Sequence, residues 1–536
     1  MVSQMKLANA TESSSIVLQL FGQGFEAILS HLRDNWTSLL GLFLGLHLLY
    51  GFILVVYRLY FSPIAHFPGP KLAAATQWVE IWYDVFLGGK FTLQTEKWHQ
   101  KYGRIVRISP FEVSISDAEF HEILFSNDSK FIKIEEMKNR IGIPDSTFET
   151  IGHEHHRIRR GAISSFFSRQ SVLNFSDFIQ QRVDRICERL ETEWKGTGRP
   201  IIMNDVWATL TADVITYISF AWDNNFAEYP DFVAPFTRAI WHQARSVHIM
   251  GHFPWVLRAL EMLPRRLLLL INPTMGPVFD FHNATGDQVE AVRNGANSEA
   301  AFTKHRTVFH EIFDSDLPPQ EKTMPRLRQE ASGITGAGID TSKTVLSNAT
   351  FYILNDPAIH KRLVEELEEA IPNANSIPSL PKLESLPYLD ACIHESLRVS
   401  YGITQRITRI SPDKPIEYDG WSIPPGTRFG MSAYLTHRDP RVFPNPDEFD
   451  PNRWLNNPKS FSGRSLERYI FTFGRGPRIC LGINLAKAEV YIGLATLFRR
   501  MKLELYETTK RDVTVESEFL VGMPPADSQG VRCLVK

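Results

Sequence analysis

One segment late in the chain reads Phe473-Gly474-Arg475-Gly476-Pro477-Arg478-Ile479-Cys480-Leu481-Gly482. Its glycines allow the backbone to bend and to approach a flat ligand closely. Cys480 stands just before a helix that we predict to begin near Asn484, and amides at a helix start favour a thiolate. A cysteine thiolate is a ligand of haem iron, and Arg478 lies near enough in sequence to pair with a haem propionate. The segment therefore predicts a haem-thiolate site.

A buried structural cysteine beside a glycine turn is the alternative interpretation of Cys480 alone. The fixed positions of F-G-x-G-x-R-x-C-x-G would coincide with a chance probability on the order of 10⁻⁸ per window. This segment resembles the haem-binding loop of the cytochrome P450 family. The resemblance implies that Phe473, Gly474, Arg478, Cys480 and Gly482 hold a haem b, with Cys480 as the iron ligand.

A second landmark, Ala337-Gly338-Ile339-Asp340-Thr341-Ser342, lies in a predicted helix from about residue 326 to residue 354. It resembles the family's A-G-x-D/E-T-T/S segment of the helix that crosses the distal haem face. Small residues at 337 and 338 would leave room for oxygen, although close packing of helices would explain them equally well. Asp340 and Thr341 offer an acid and a hydroxyl for relaying protons, so we expect them to be catalytic.

A third landmark pairs Glu395 with Arg398, which share one helix face at spacing i, i+3. Most pairs of this kind are solvated surface pairs. Here the segment 449–454, Phe-Asp-Pro-Asn-Arg-Trp, follows and resembles the family's P-E-R-F-like segment. The resemblance implies a buried structural triad of Glu395, Arg398 and Arg453 that braces the proximal side of the haem.

A histidine-rich segment covers residues 153–160, His-Glu-His-His-Arg-Ile-Arg-Arg. Neighbouring residues do not converge on one helix face, which argues against a zinc site there. His155 and Arg159 do share a face, at spacing i, i+4. The family usually has W-x-x-x-R at this place, so the resemblance implies that Arg159, with His155 in place of tryptophan, binds haem propionates. A basic solvated face is the alternative, and it suits Arg157 and Arg160 better.

The N-terminal part contains an apolar run from Leu39 to Tyr57 that is interrupted only by His47. Its length suits one membrane-spanning helix, and a buried helix of a soluble protein is the alternative. We predict a short segment 1–38, a transmembrane anchor 39–60, a Pro/Gly hinge 61–70 and a haem-thiolate monooxygenase domain 71–536. Only the sequons at Asn9 and Asn35 precede the span, so only they could be glycosylated if the body is cytosolic.

Composition sets the broad class. The 536 residues carry 58 Lys+Arg and 60 Asp+Glu, and this balance argues against a nucleic-acid partner. The four cysteines form no CxxC pair, which argues against a disulfide framework.

We predict helices over 175–194, 356–370 and 484–501, another from residue 387, and a hairpin at Asp419-Gly420, without βαβ alternation. The predicted fold is mainly α with small β elements: a cytochrome P450 fold preceded by one N-terminal transmembrane helix.

The resemblance implies a monooxygenase of the endoplasmic reticulum membrane, single-pass, with its catalytic domain on the cytosolic side. It would take NADPH-derived electrons from a separate NADPH–cytochrome P450 reductase, for which Arg464, Arg468, Arg475 and Arg478 are candidate docking residues. The alternatives are a haem-thiolate isomerase or dehydratase that acts without dioxygen, and a non-catalytic haem-binding or scaffold protein. The pair Asp340-Thr341 disfavours both.

The segments 66–76, HFPGPKLAAAT, and 152–168, GHEHHRIRRGAISSFFS, are similar to filamentous-fungal members of secondary metabolism, of the trichodiene-oxygenase kind. We expect selectivity to come from the stretch before His153, the residues around Gly333, the turn 402–404 and the pair 519–520. These segments are mostly apolar. The expected substrate is therefore a small hydrophobic molecule, such as a terpenoid or a polyketide.

Overall fold

The structure is a computed structural model that describes residues 36–127, 130–296 and 306–536. Most of the predicted segment 1–38 lies outside the described residues, as do the sequons Asn9 and Asn35. The described body is mainly helical with small sheets, as the sequence predicts.

The helices include one apolar N-terminal helix and a helical body. They are α1 Trp36–Phe61, α2 Lys71–Ala75, α3 Trp78–Ile81, α4 Phe91–Tyr102, α5 His121–Leu124, α6 His153–Ser164, α7 Arg169–Leu173, α8 Ser176–Arg189, α9 Met203–Phe220, α10 Pro235–Arg245, α11 Val247–His252, α12 Pro254–Glu261, α13 Arg265–Ile271, α14 Met275–Arg293, α15 Val308–Asp314, α16 Met324–Asn355, α17 Pro357–Ala370, α18 Leu380–Leu383, α19 Pro387–Ser400, α20 Ala433–Thr436 and α21 Ile483–Arg500. Two π-helical turns extend α3 and α8, over Trp82–Phe86 and Leu190–Trp194.

The strands are short. They are β1 Ile105–Arg107, β2 Glu112–Ile115, β3 Ile201–Ile202, β4 Ile407–Ile410, β5 Ile416–Tyr418, β6 Trp421–Ile423, β7 Arg428–Met431, β8 Leu503–Leu505, β9 Ser517–Phe519, β10 Val521–Met523 and β11 Arg532–Val535. They pair in the orders β1-β2-β7-β4 and β3-β11-β8, with separate hairpins β5-β6 and β9-β10. The pairing of β2 with β7 is parallel, and every other pairing between these strands is antiparallel.

Local sequence signals set several of these boundaries. The Asp356 carboxylate accepts hydrogen bonds from the amides of Ala358 and Ile359, at 2.8 and 3.2 Å, and so caps α17 as predicted. Asp419 and Gly420 both have positive φ, 49° and 76°, as a two-residue turn between paired strands requires. The predicted helices and this hairpin are thereby confirmed, with shifts of a residue or two at their ends.

Helix α16 runs through the centre of the body and packs closely on α9. At Gly338 a Cβ atom would lie only 2.6 Å from Cγ1 of Ile215 on α9. The missing side chain of Gly338 therefore makes room for a neighbouring helix. This supports the packing explanation for Gly338, while Ala337 and Gly338 also line the cavity of the candidate active site, so the explanation based on oxygen stays open.

The predicted anchor forms a continuous helix, α1, that is long and apolar enough to cross a membrane. Its last turn is tied to the body, because the Arg58 guanidinium donates to the carbonyl of Ala75 at 2.9 Å. The predicted hinge is a packed turn. The Arg107 amide donates to Pro68 at 2.7 Å, and a Cβ atom at Gly69 would lie 2.3 Å from the Arg107 carbonyl oxygen.

Candidate active site

A cavity of about 340 Å³ opens between α6, α16, strand β4, the loop 471–482 and the β9–β10 hairpin. Apolar side chains such as Ile334, Val345 and Leu520 form much of its wall. Of the segments expected to set selectivity, residues 146–148, Gly333, Ile403 and Leu520 line it, whereas Thr404 and Phe519 do not. The cavity is therefore suited to a hydrophobic molecule.

Cys480 lies in the wall of this cavity, in the glycine-rich loop. Its amide donates to the carbonyl of Phe473 at 2.8 Å, which closes the loop before α21 begins at Ile483. Gly476 has a φ of 69°, and a Cβ atom there would lie 2.3 Å from the Phe125 carbonyl oxygen. Burial raises the pKa of the Cys480 thiol, while a hydrogen bond from the Gly482 amide and the charge of Arg160 act to lower it.

The other cysteines, Cys187, Cys392 and Cys533, all fall within the described ranges, and they are buried away from the cavity. Burial raises the pKa of Cys187 and of Cys533 to about 12. Cys480 is therefore the one cysteine that can offer a thiolate to a ligand in this cavity.

Basic side chains crowd one end of the cavity: Lys133, His156, Arg160, Arg409 and Arg478. None of them forms a salt bridge with any carboxylate that the structure describes. Burial, together with repulsion from Arg478, lowers the pKa of Arg409 to about 9 and that of His156 to about 3. Burial and Arg160 lower the pKa of Arg478 to about 10.

Such a cluster is unfavourable unless an anionic ligand compensates it, because buried like charges repel at low dielectric. The two propionates of a haem would supply that charge, and Cys480 opens on the same cavity. The residues present therefore fit a haem.

Helix α6 turns a different pair of residues toward the cavity than the predicted pair. His155 Nε2 and Arg159 Nε contact the Glu321 carboxylate, at 2.8 and 2.6 Å, outside the cavity wall. His156 and Arg160 stand one residue later and line the cavity. Each residue turns a helix by about 100°, so both pairs share the i, i+4 spacing but face different sides. The geometry places His156 and Arg160, rather than His155 and Arg159, where they could contact an anionic ligand in the cavity.

The predicted acid–alcohol pair is also separated, because neighbouring residues of a helix point about 100° apart. Thr341 lines the cavity, and its hydroxyl donates to the carbonyl of Ala337 at 2.8 Å. The Asp340 carboxylate is outside the cavity wall and accepts a hydrogen bond from Lys343. The structure thus brings Thr341 and Cys480 to one cavity, and it holds Asp340 in an ion pair on another side of α16.

The predicted triad residues come together in the core. Glu395 accepts from Arg398 Nε and Nη2 at 2.9 and 2.8 Å and from Arg453 Nε at 3.0 Å. The amide of Asp450 and the indole of Trp454 add two more donors, at 2.8 and 2.9 Å. Glu395 and Arg398 are fully buried. Trp454 is a member that the sequence motif did not single out.

The four arginines considered as a docking patch do not form one basic surface. Arg464 and Arg468 pair with Glu122, at 3.0 and 2.6 Å. Arg475 donates to the Glu467 carbonyl, and Arg478 faces the cavity. Because Arg464 and Arg468 are paired with carboxylates and Arg478 faces the cavity, the structure gives no support to a reductase patch made of all four residues.

The sequence alone did not single out Glu489, a buried carboxyl group on α21 that lines the cavity. Burial raises its pKa from 4.5 to about 8, and a hydrogen bond with Ser342 acts in the opposite direction. The sequence around Glu489 gives no local signal of its burial, because that burial depends on how α21 packs on α16.

We expect Glu489→Gln to remove a pH-dependent loss of stability. At pH 7 the folded protein holds a proton on Glu489 that the unfolded chain releases, so stability falls as the pH rises from about 4.5 to about 8. The loss is on the order of 4 kcal/mol at pH 8. The melting temperature of the variant, relative to that of the wild type, should be higher at pH 8 than at pH 5. Glu365→Gln, at an exposed site, should show no such change with pH. The same change with pH in both variants would contradict the assignment.

Comparisons with known proteins point to one family. The sequence profile described as cytochrome P450 matches residues 70–529. Cytochrome P450 monooxygenase orf4 of Eupenicillium brefeldianum is 44% identical over 490 residues, 90% of this chain and 96% of the relative. Cytochrome P450 monooxygenase orf6 of the same fungus is 41% identical over 492 residues, covering 91% and 97%. Tryptophan 6-hydroxylase fscE of Fusarium equiseti is 36% identical over 486 residues, covering 90% and 94%.

Proposed function

The chain belongs to the cytochrome P450 family, and from this premise we propose that it is a membrane-anchored haem-thiolate monooxygenase that oxidises a small hydrophobic secondary metabolite. The observation that carries the proposal is one apolar cavity that presents the Cys480 thiol, the Thr341 hydroxyl and the uncompensated basic cluster together. Fungal monooxygenases among its relatives support the same reaction class.

Cys480 would ligate the haem iron, and the basic cluster would hold the propionates. A haem bound there would supply the iron at which dioxygen is activated, with electron density donated by the thiolate. The loop 473–482 contributes rigidity, because the bond from the Cys480 amide to Phe473 fixes where the sulfur lies. His156, Arg160, Arg409 and Arg478 would bind through their charge, which fixes the ligand's orientation in the cavity.

Thr341 would hold and pass a proton within the cavity. Its hydroxyl donates a hydrogen bond to the carbonyl of Ala337, one helical turn earlier. Rotation about χ1 can exchange this bond for one to a partner in the cavity. Asp340 is proposed as a more remote member of the relay, since its carboxylate is held by Lys343 and would have to leave that pair to act. Thr341 is therefore the residue that would contact the reacting atoms.

The substrate would be held by apolar contacts. Ile334, Val345, Ile403 and Leu520 offer surfaces that gain free energy by excluding water from a hydrocarbon skeleton. A terpenoid or a polyketide intermediate has this character. Few polar groups face the apolar part of the cavity, so shape would select the carbon that is oxidised.

The enzyme would be anchored by α1 in the endoplasmic reticulum membrane with its body in the cytosol, where a separate NADPH–cytochrome P450 reductase would supply electrons. Large apolar side chains support contact of the body with lipid: Trp78, Trp82 and Phe86 are 61%, 54% and 62% exposed. They lie just after the turn that joins α1 to the body, and Trp255 is 65% exposed on α12. Exposed aromatic residues of this kind favour a membrane interface.

The proposal is tested by turnover in membranes that contain the protein and an NADPH–cytochrome P450 reductase, with terpenoid and polyketide candidates. We expect NADPH and dioxygen to be consumed and one labelled oxygen atom from ¹⁸O₂ to enter the product. A product that forms equally well without NADPH and dioxygen would favour the isomerase or dehydratase alternative. A thiolate-ligated haem that converts no candidate and consumes no NADPH would favour a non-catalytic protein.

Thr341→Val is expected to lower product formation by about 100-fold or more, because a positioned proton donor contributes at least that much to such a step. NADPH consumption should fall much less, so the yield of product per NADPH drops. The measurement is product and NADPH followed together under the conditions above.

Thr335→Val is the matched control, since Thr335 is buried on the same helix but does not line the cavity. An unchanged product yield in Thr341→Val, with the control also unchanged, would remove Thr341 from the proton path.

A further inference from the structure

A second cluster of ligand-type side chains is buried outside the cavity wall. Asp84 belongs to the π-helical turn Trp82–Phe86, and His248 and His252 lie one turn apart on α11. All three side chains are at most 2% exposed. Two imidazoles and a carboxylate are thus enclosed at a junction of distant segments, and none of them lines the cavity of the candidate active site.

The ligand atoms converge on one point. Asp84 Oδ2 lies 3.3 Å from His248 Nδ1 and 3.1 Å from His252 Nε2, and the three atoms lie within 4.8 Å of one another. Two ligands that each lie about 2.05 Å from a tetrahedral zinc ion are about 3.3 Å apart. The two separations from Asp84 Oδ2 match that spacing.

One hydrogen bond joins two of these atoms, since His252 Nε2 contacts Asp84 Oδ2 at 3.1 Å, and a bound metal ion would have to displace it. His248 Nε2 donates to the backbone carbonyl of Glu518, which places the proton on Nε2 and leaves the Nδ1 lone pair facing Asp84. Among the described residues, neither His248 Nδ1 nor Asp84 Oδ1 has a hydrogen-bond partner. A histidine that ligates a metal usually donates its other N–H to a carbonyl or carboxylate in this manner.

Two buried guanidinium groups lie in this region. Arg406 is paired with Glu80 and with Glu112, the latter at 2.7 Å, and Arg140 lies beside α11, where a Cβ atom at Gly251 would be 2.6 Å from its Nε. The Glu518 carboxyl accepts from the Leu520 amide at 2.6 Å and lies 4.0 Å from His248 Nε2, on the side away from Asp84. Asp84 is therefore the carboxylate that faces both imidazoles.

We propose that Asp84, His248 and His252 form a zinc site, with a water molecule as the fourth ligand. The donor set of two imidazole nitrogens and one carboxylate oxygen suits Zn²⁺, whereas Mg²⁺ and Ca²⁺ prefer oxygen ligands alone. The zinc site takes no part in the proposed monooxygenase reaction, so the zinc proposal does not depend on the substrate assignment.

The ion would join three parts of the fold. It ties α11 to the Trp82–Phe86 turn, and His248 in turn holds β9 through the Glu518 carbonyl. The same hairpin presents Leu520, Val521 and Gly522 to the cavity. Zinc would therefore act as a structural clamp that fixes one wall of the cavity.

The test uses the full-length, haem-loaded protein in detergent, with any polyhistidine tag removed. The protein is stripped with a chelator, loaded with Zn²⁺, passed through gel filtration and analysed for metal. We expect about one zinc ion per wild-type chain. Zinc competition with a chromophoric chelator should show affinity at least about 100-fold weaker for Asp84→Asn and for His252→Gln, because even indirect changes at such sites cost 10–100-fold.

His360→Gln is the matched control, since His360 lies on α17, outside the cluster, and it should bind zinc as the wild type does. The carbon monoxide difference spectrum confirms that each variant is folded. Zinc K-edge absorption of the wild type needs no variant: we expect nitrogen and oxygen at about 2.0–2.1 Å. A sulfur shell at about 2.3 Å, no zinc in the wild type, or unchanged affinity in folded His252→Gln would each overturn the proposal.

Discussion

Cys480→Ser is expected to abolish the red-shifted Soret band that carbon monoxide gives with dithionite-reduced membranes containing the protein. The band depends on a thiolate ligand of the haem iron, and a serine hydroxyl is not ionised at neutral pH and cannot replace it. Monooxygenase activity should fall to background in the same variant. The effect is complete rather than partial because no other cysteine lines the cavity.

Cys533→Ser provides the matched control, since Cys533 is buried in β11 away from the cavity. Its spectrum should keep the red-shifted band, at a height that follows the amount of folded protein. A band that persists in Cys480→Ser would mean that another group ligates the iron, and the proposed site would then be wrong.

Glu395→Ala is the second change with a large expected effect. It leaves two arginines, Arg398 and Arg453, without their carboxylate in a region where Arg398 is fully buried. Removing one member of a buried ion network costs about 3–5 kcal/mol, a large part of the 5–15 kcal/mol that ordinarily keeps a domain folded. We expect little soluble protein and no haem incorporation, measured as haem absorbance per milligram of purified chain.

Glu365→Ala tests whether the loss is specific to the buried network. Glu365 forms an exposed pair with Lys361 at 3.7 Å, a kind of pair worth about 0–1 kcal/mol. This control should purify with normal haem content. Soluble Glu395→Ala protein with full haem occupancy would show that the network does not brace the haem side of the fold.

The features that the sequence predicted are those with local causes. The Asp356-Pro357 cap, the Asp419-Gly420 turn and the loop around Cys480 depend on residues a few positions apart, so their patterns are visible in the chain itself. The predicted helices are present in the structure for the same reason, because their apolar patterns are local.

The features that the sequence missed depend on how helices rotate and which distant segments meet. His155/Arg159 and His156/Arg160 have identical spacing, and only the packing of α6 chooses which pair faces the cavity. Arg409 reaches the same cavity from strand β4, far along the chain. No local pattern could have joined these residues.

The sheet β3-β11-β8 has a consequence for biosynthesis. Its middle strand, β11, pairs Cys533 with Ile201 of β3 and with Leu505 of β8. At about 5–20 residues per second, a ribosome needs on the order of tens of seconds to proceed from β3 to β11. During that time β3 has an unpaired edge, and the buried helix α9 that follows it has not received its final neighbours. The nascent chain is thus an expected client of chaperones until translation has passed residue 535.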